Sequence, residues 1–146
     1  MPEPKTLSRA ETDAGEGKSP STQAGEFVRE EIHHVREGKH GARSAKQAIA
    51  IGLSKARRAG IRLRPPKGPA SLREKVADEE KTAKAGSPRE PSKTRSRAVT
   101  TALERESRGA ASHAALSRQA KKSAAKRSRR DRREAAEQAA KTRNAA

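Results

Sequence analysis

The sequence contains no cysteine, tryptophan or tyrosine, and phenylalanine occurs only once. Without cysteine there are no disulfide bonds and no thiolate metal sites, which suits a reducing compartment. Without aromatic side chains among the basic ones, the chain lacks the platforms on which single-stranded nucleic acid stacks its bases. No apolar run approaches the roughly 18 residues of a membrane span, and the N-terminus lacks the apolar core of a secretory signal. We therefore expect a soluble cytoplasmic protein without membrane contacts.

Large apolar side chains are also scarce, and this limits the size of the folded part. Hydrophobic residues make up 30% of the 146 residues, and charged residues make up 36%. So little apolar surface cannot offset the conformational entropy of ordering the whole chain. We predict an all-α protein in which a short αα-hairpin core carries disordered or conditionally helical basic flanks.

The charges that are present are mostly positive. Lysine and arginine number 35 against 18 aspartates and glutamates, a formal net charge of +17. By segment, the net charge is −1 for residues 1–20, +6 for 21–66, +4 for 67–110 and +8 for 111–146. An excess of this size indicates a polyanionic partner. Because the basic helices lack the bulky apolar face that inserts into membranes, we predict that this partner is nucleic acid.

The stretch from Ser44 to Gly60 is the most helix-like in the sequence. Ser44 and Gln47 have the spacing of a capping box, which starts a helix, and Gly60 can adopt the left-handed conformation that ends one. Between them, apolar residues recur at helical spacing and form one stripe that must be buried: Ala45, Ala48, Ile49, Gly52, Leu53 and Ala56. The small residues Ala48 and Gly52 predict the close approach of a partner helix.

A second helix is predicted over residues 21–37, with Thr22 as its N-terminal cap. Its apolar residues also recur at helical spacing, and the stripe comprises Val28, Ile32 and Val35. Two amphipathic helices joined by a short loop make an αα-hairpin, so we place a helical hairpin module at residues 21–66. A module of about 40 residues is marginal alone. A homodimer through this stripe and through Ile49 and Leu53 is therefore a candidate arrangement.

The remaining segments carry weaker patterns. Residues 1–20 have mixed charge and three prolines, and we predict a disordered tail. Residues 67–110 are predicted to be a linker with weak helices, interrupted by prolines at 88 and 91. Residues 111–146 are rich in alanine, lysine and arginine, which favour helix by propensity, but Leu116 is their one large apolar residue. We predict that this tail is partly helical.

Two groups of basic residues are candidates for contacts with DNA. The first lies on the Ser44 helix and its exit and comprises Arg43, Lys46, Lys55, Arg57, Arg58, Arg62 and Arg64. The second lies in the C-terminal tail and comprises Lys121, Lys122, Lys126, Arg127, Arg129, Arg130, Arg132 and Arg133. The basic side chains of the second group surround a helix, as in segments that contact phosphates on both sides of a groove. Counterion release from these phosphates would make binding strongly salt dependent.

The basic face of the Ser44 helix has more than one interpretation. In a helix-turn-helix protein the first residues of the recognition helix contact base edges, and here those would be Arg43, Lys46 and Gln47. No strong third helix is visible nearby to complete such a domain, so we favour contacts to phosphate alone. A plain solvated face is the third interpretation, and the basic tail likewise could serve only solubility.

Histidine and glutamate residues cluster near the end of the first predicted helix. The cluster comprises His33, His34 and His40 with Glu30, Glu31 and Glu37. Two of its glutamate–histidine pairs stand four residues apart, a spacing found in metal sites and in ordinary pairs on a helix surface. We interpret them as surface pairs and predict no metal and no cofactor. The sequence shows no set of nucleophile, base and orienting group, so we predict no enzymatic activity.

Two strings in the hairpin module, GEFVREEIHHVREGKHGARS and KQAIAIGLSKARRAG, carry a resemblance to known sequences. Residues 19–63 resemble the shared block of an uncharacterised bacterial family of small basic proteins. Members of that family are loosely labelled plasmid-stabilisation or DNA-binding proteins. The resemblance implies DNA binding, offers no functional residues to transfer, and does not extend to the C-terminal half.

These observations predict a DNA-binding protein of nucleoid-associated or plasmid-maintenance type that acts at the nucleoid. Its contacts would be mainly non-specific and made to phosphate. Two alternatives stay open. One is an RNA-binding protein that acts through the arginine-rich helix. The other is a helical protein-interaction module, antitoxin-like or an adaptor, whose apolar stripes bind a partner helix.

Overall fold

The computed structural model describes residues 2–65, 68–84 and 92–144. Regular structure within these ranges is helical, which confirms the all-α prediction. The seven α-helices of the described ranges are α1 (Pro4–Gly15), α2 (Pro20–Glu37), α3 (Ala45–Arg58), α4 (Ala70–Lys84), α5 (Lys93–Glu104), α6 (His113–Ala125) and α7 (Arg129–Asn144), and a short 3₁₀ helix, Arg108–Ala111, precedes α6. None of the helices described is long and apolar enough to cross a membrane.

The central hairpin consists of α2 and α3. Helix α2 is capped by Ser19 rather than by the predicted Thr22, because the Ser19 hydroxyl accepts the Thr22 N–H at 3.4 Å. Pro20 then occupies the first helical position, where a missing N–H removes no hydrogen bond. Helix α3 has the predicted cap, since the Ser44 hydroxyl accepts the Gln47 N–H at 3.2 Å.

Helix α3 ends at the predicted glycine. The Ile61 N–H donates to the Ala56 carbonyl at 3.1 Å, and the Gly60 N–H donates to the Arg57 carbonyl at 2.9 Å. These are the two hydrogen bonds of a Schellman motif, whose left-handed position is Gly60 with a φ of 96°. The turn sends Ile61 and Leu63 back across the hairpin, where both pack against the core.

Helices α2 and α3 approach each other closely at Gly52. A Cβ atom at this position would lie 2.6 Å from the Val28 Cα and 3.0 Å from the Phe27 carbonyl oxygen. Ala48, one turn earlier on the same face, is fully buried. The predicted close approach at two small residues is therefore confirmed.

We expect the Gly52→Ala variant to be destabilised by about 1–3 kcal/mol, because the added methyl group meets backbone atoms of α2 that cannot rotate away. Gly25→Ala is the matched control on α2, since nothing lies within 4 Å of a Cβ there. Replacing this helical glycine should stabilise the protein by about 0.5–1 kcal/mol. Urea unfolding followed by circular dichroism measures both variants, and effects of the same sign and size would contradict the close contact.

The N-terminal segment differs from its prediction as a disordered tail. Pro4–Gly15 form α1, which packs along α2. Ala10 is buried and the half-buried Leu7 packs on the same cluster, so that together they help to cover Phe27. Helix α1 has only a few apolar side chains, mostly small ones. They are too few to form a recognisable helical pattern in the sequence. The segment is ordered because its apolar side chains bury Phe27, which would otherwise be exposed to solvent.

A second part of the core joins the hairpin to residues predicted to be linker and tail. Ala110 and Ala111 of the 3₁₀ helix are buried against Ile32 and Val35, and Leu116 of α6 packs on the same cluster. The predicted boundary between linker and tail therefore lies inside the core. This contact is made by alanines. Because the solvent-exposed tail is also rich in alanine, the sequence does not distinguish the buried alanines from the exposed ones.

Backbone contacts fix the position of this second part. The Gly41 N–H in the α2–α3 loop donates to the Leu103 carbonyl at the end of α5, at 2.8 Å. Arg36 Nε donates to the Ala111 carbonyl at 3.0 Å. These bonds hold the 3₁₀ helix against the hairpin and thereby place α6 beside α3.

Helix α4 packs on α3, although the sequence predicted only a linker with weak helices there. Val76 is buried in this contact, and the Ser54 hydroxyl on α3 donates to a carboxylate oxygen of Glu79. In contrast, neither α5 nor α7 packs along another helix within the described ranges. The proline-containing part of the predicted linker, residues 85–91, lies outside the described residues.

Four of the five side chains predicted for a homodimer interface pack within the chain, whereas Ile49 is half-buried and belongs to neither core cluster. Val35 is fully buried and Ile32 is 8% exposed. Val28 packs against the same cluster, and Leu53 packs against the cluster around Phe27. A dimer through these side chains would require the contacts of α1 and the 3₁₀ helix to open.

Candidate nucleic-acid interface

The two predicted groups of basic residues meet at the N-terminal end of α3. Arg43 and Lys46 lie at the start of this helix, and Arg118 and Lys122 lie on the neighbouring α6. All four side chains are exposed, and all four line one groove of about 540 Å³. We refer to this surface as the basic groove.

The lining of the basic groove contains no carboxylate. Its other members are small or neutral residues: Ala42, Ser44, Ala45, Ser107, Gly109, Ala110, Ala115 and Gln119. The first residues of α3 belong to this lining, and the N-terminal end of a helix adds partial positive charge. The groove is therefore suited to an anion with several oxygen atoms, such as the phosphates of a nucleic-acid backbone.

Local contacts leave the cations of the groove largely free to bind. Arg43 Nε lies 3.7 Å from Glu106 Oε1, and the Arg43 side chain is 81% exposed, so this ion pair is weak. The Gln47 Oε1 accepts the Arg43 N–H at 2.7 Å. The amide oxygen that the recognition-helix interpretation would use on a base is therefore engaged at the helix cap.

Beyond the groove, the end of α6 and the whole of α7 form a second basic surface, which we call the basic arm (residues 120–144). It holds ten basic and three acidic residues. All ten basic side chains are exposed: Lys121, Lys122, Lys126, Arg127, Arg129, Arg130, Arg132, Arg133, Lys141 and Arg143. Lys122 belongs to both surfaces, so the arm continues directly from the groove.

The basic arm consists of two helices rather than one. Helix α6 ends at Ala125, and Ser128 caps α7. The Asp131 N–H donates to the Ser128 hydroxyl at 3.0 Å, and the Ser128 N–H donates to Asp131 Oδ2 at 3.3 Å. This reciprocal pair is the acidic form of a capping box, and the spacing of its two residues could have predicted the break.

Two of the predicted DNA contacts on the arm have glutamate partners one helical turn away. Arg130 Nε lies 2.8 Å from Glu134 Oε1, and Arg133 Nε lies 3.0 Å from Glu137 Oε1. The arginine side chains are 87% and 83% exposed, so each pair contributes only about 0.3–0.5 kcal/mol. Phosphate oxygens can therefore replace the glutamates as partners of these arginines.

Lys55 and Arg57, two further predicted DNA contacts, lie inside the fold. Arg57 is 9% exposed, and its Nη1 lies 3.6 Å from Glu79 Oε2 on α4. Lys55 Nζ lies 2.7 Å from Glu31 Oε2 and 3.3 Å from Glu30 Oε1 on α2. Both cations turn inward because carboxylates of the neighbouring helices are buried beside them. We therefore remove both from the predicted DNA surface.

The glutamates that hold Lys55 are themselves well buried. The side chains of Glu30 and Glu31 are 2% and 1% exposed. Burial raises the pKa of Glu30, but hydrogen bonds from the Glu3 N–H and the Thr6 hydroxyl, together with the charge of Lys55, bring it below its ordinary value of 4.5. Ionised Glu30 therefore stabilises the fold above pH 4.5, and this contribution is lost as the pH falls through the lowered pKa.

The other predicted cations of α3 form a separate patch. Arg58 is the last residue of α3, Arg62 and Arg64 follow it, and all three are exposed. Arg58 lies about 18 Å along the helix axis from Lys46, at the usual rise per residue. This patch does not line the basic groove.

Arg118 is a residue of the groove that the sequence analysis missed. It precedes Lys122 by four residues, so the helical repeat places both on one face of α6. That spacing could have grouped the two residues. Their position beside Arg43, however, depends on the packing of the 3₁₀ helix, which no local pattern shows.

The central hairpin is similar to a known family. Residues 17–68 match a family described as a family of unknown function (DUF6496). This range contains α2, α3 and the loop between them, and it agrees with the extent of the resemblance noted for residues 19–63. The description names no activity, so the plasmid-stabilisation and DNA-binding labels stay a prediction. No curated protein and no solved structure matches the chain significantly.

Proposed function

We propose that this protein binds duplex DNA through non-specific contacts to the phosphate backbone, in a nucleoid-associated or plasmid-maintenance role at the nucleoid. The basic groove is the observation that carries the proposal. Arg43 and Lys46 are more than 70 residues from Arg118 and Lys122 in the sequence, and folding brings all four to one groove whose lining contains no carboxylate; Glu106, outside that lining, pairs only weakly with Arg43. Like charges repel, so a polyanion that neutralises them would stabilise this arrangement.

In this proposal both the groove and the arm contact phosphates of the DNA backbone. Contacts to phosphate need accessible cations but no fixed geometry toward a base edge, so they position a protein without reading sequence. The groove sits on the packed core and would hold one section of backbone in place. The arm then adds exposed cations that contact further phosphates, and the release of their counterions drives association.

RNA binding is the second candidate, and the exposed arginines of α7 support it. The planar guanidinium forms paired hydrogen bonds to phosphate in either nucleic acid. Structured RNA of matched charge therefore belongs in each binding series. The interaction-module hypothesis has less support, because four of the five apolar side chains on which it depends are packed within the chain.

The test of the groove compares two double variants. Lys46→Gln/Lys122→Gln should weaken binding to a random duplex about 50-fold near 0.1 M salt, because each lost phosphate contact removes about 0.9 from the salt slope. Arg62→Gln/Arg64→Gln removes the same charge from the separate patch and should cost much less. Fluorescence anisotropy measures both. Equal losses would show that only net charge matters, and the absence of binding by the wild-type chain at low salt would refute the proposal.

A further inference from the structure

Glu31, His34 and His40 converge beside the half-buried ammonium group of Lys55. Glu31 and His34 lie one turn apart on α2, and Gly38, with a φ of 78°, turns the chain so that His40 returns to the helix end. Each of the three side chains offers one ligand atom, and these atoms lie within 4.8 Å of one another. The two imidazole rings meet edge to face, with centroids 6.1 Å apart.

The hydrogen bonds of His40 assign its protonated nitrogen. His40 Nδ1 lies 3.0 Å from the Gly41 carbonyl oxygen, which only accepts, so Nδ1 carries the hydrogen. In the neutral ring, Nε2 then presents a lone pair, and it lies 3.1 Å from Glu31 Oε1. Two lone pairs at this distance repel each other unless a proton or a metal ion lies between them. A backbone carbonyl behind the ring is also a usual neighbour of a metal-ligating histidine.

His34 has an equivalent support on its outer side. Its Nε2 lies 2.9 Å from Glu3 Oε1, and Lys39 Nζ lies 3.1 Å from the same oxygen. Glu3 therefore holds the outer edge of the His34 ring through a hydrogen bond, and Lys39 holds the same carboxylate in place. A carboxylate hydrogen-bonded to one ring nitrogen makes the other nitrogen a better ligand.

Glu31 has fewer partners than a buried carboxylate needs. Its side chain is 1% exposed, and neither oxygen accepts a hydrogen bond of good geometry. Lys55 Nζ lies 2.7 Å from Oε2 but also pairs with Glu30, so one ammonium faces two buried carboxylates. A buried charge left in this state is costly. A second cation at Oε1 would remove that cost.

We propose that Glu31, His34 and His40 bind a divalent transition-metal ion such as Zn²⁺. Two imidazoles and one carboxylate are a known zinc donor set, which leaves a fourth position open. Bonds of about 2.0–2.1 Å place tetrahedral ligand atoms about 3.3 Å apart, close to the 3.1 Å between His40 Nε2 and Glu31 Oε1. The site differs from the surface pairs that the sequence suggested, because His33 is exposed and lies outside it.

The test is zinc binding by the untagged full chain, measured by calorimetry. We expect one ion per chain and a loss of at least 100-fold in affinity for His34→Asn and for His40→Asn. His33→Asn is the matched control, since it removes an exposed histidine of the same helix and should bind zinc like the wild type. Zinc should also raise the melting temperature of the wild type but not that of His40→Asn.

A second measurement needs no variant and so does not depend on the variants folding. Cobalt bound to the wild-type chain should give the strong visible absorption of a tetrahedral site, and zinc in equal amount should abolish it. The weak absorption of solvated cobalt would overturn the proposal. So would an equal loss of zinc affinity in His33→Asn and His40→Asn, because it would indicate adventitious binding to surface histidines.

Discussion

Neutralising five exposed cations of the basic arm should weaken binding to duplex DNA by about 10³-fold or more near 0.1 M salt. The variant carries glutamine at Lys121, Lys126, Arg127, Arg129 and Arg132, all of which are exposed. Each lost phosphate contact releases about 0.9 fewer counterions, so the slope of log K against log salt should become shallower by about 4–5. Fluorescence anisotropy with a random duplex over a salt series gives both quantities.

The matched control on the arm changes four side chains without changing the net charge. It converts both ion pairs, Arg130 with Glu134 and Arg133 with Glu137, to glutamine. Helicity should fall slightly in this quadruple variant, and binding should stay within severalfold of the wild type. If the control lost as much affinity as the five-cation variant, helix content rather than charge would explain the effect. If the five-cation variant bound normally, the arm would have no part in binding.

Lys55→Met should destabilise the fold by about 3–5 kcal/mol, the usual cost of breaking a buried ion pair. The substitution leaves Glu30 and Glu31 buried without the ammonium group that they share. Arg58→Met is the control on the same helix, because Arg58 is exposed, and it should change the free energy of unfolding by at most about 0.5 kcal/mol. Urea denaturation at neutral pH measures both variants.

The pH dependence of Lys55→Met separates electrostatics from packing. Ionised Glu30 contributes to the expected loss, so the difference in the free energy of unfolding between variant and wild type should shrink as the pH falls through the lowered pKa of Glu30. Adding Glu31→Gln to Lys55→Met should recover part of the stability for the same reason. A small, pH-independent effect of Lys55→Met would show that Lys55 is not held by the buried glutamates and could return it to the DNA surface.

The parts of the fold that could be predicted have strong local signals. Ser44 and Gly60 mark the two ends of α3 through hydrogen bonds to residues close in sequence. Gly52 in the apolar stripe of α3 predicts a close contact with another helix. It does not show which helix that is. Helix α1 and the 3₁₀ helix have no comparable signal, because they pack through alanines and a single leucine against residues distant in the chain.

The residues of the candidate nucleic-acid interface were predicted less completely than the helices. The sequence does not show in which direction a long side chain points. Lys55 looked like any other cation on a basic helix. One signal was available: Glu31 lies four residues after Phe27 and four before Val35, which places a carboxylate on the buried face of α2. A charge there requires a partner from α3. In contrast, no local sequence pattern could predict that Arg43 and Arg118 line the same groove.

The affinity of the wild-type chain for a random DNA duplex, measured as a function of salt, decides whether the groove and the arm bind DNA through phosphate contacts. If the groove and the arm together make about six to ten phosphate contacts, log K should fall with log salt with a slope of about −5 to −9. The affinity should depend little on the DNA sequence. A structured RNA of matched charge in parallel shows whether the surface prefers one nucleic acid. No binding at low salt, or binding with a slope near zero, would contradict the account.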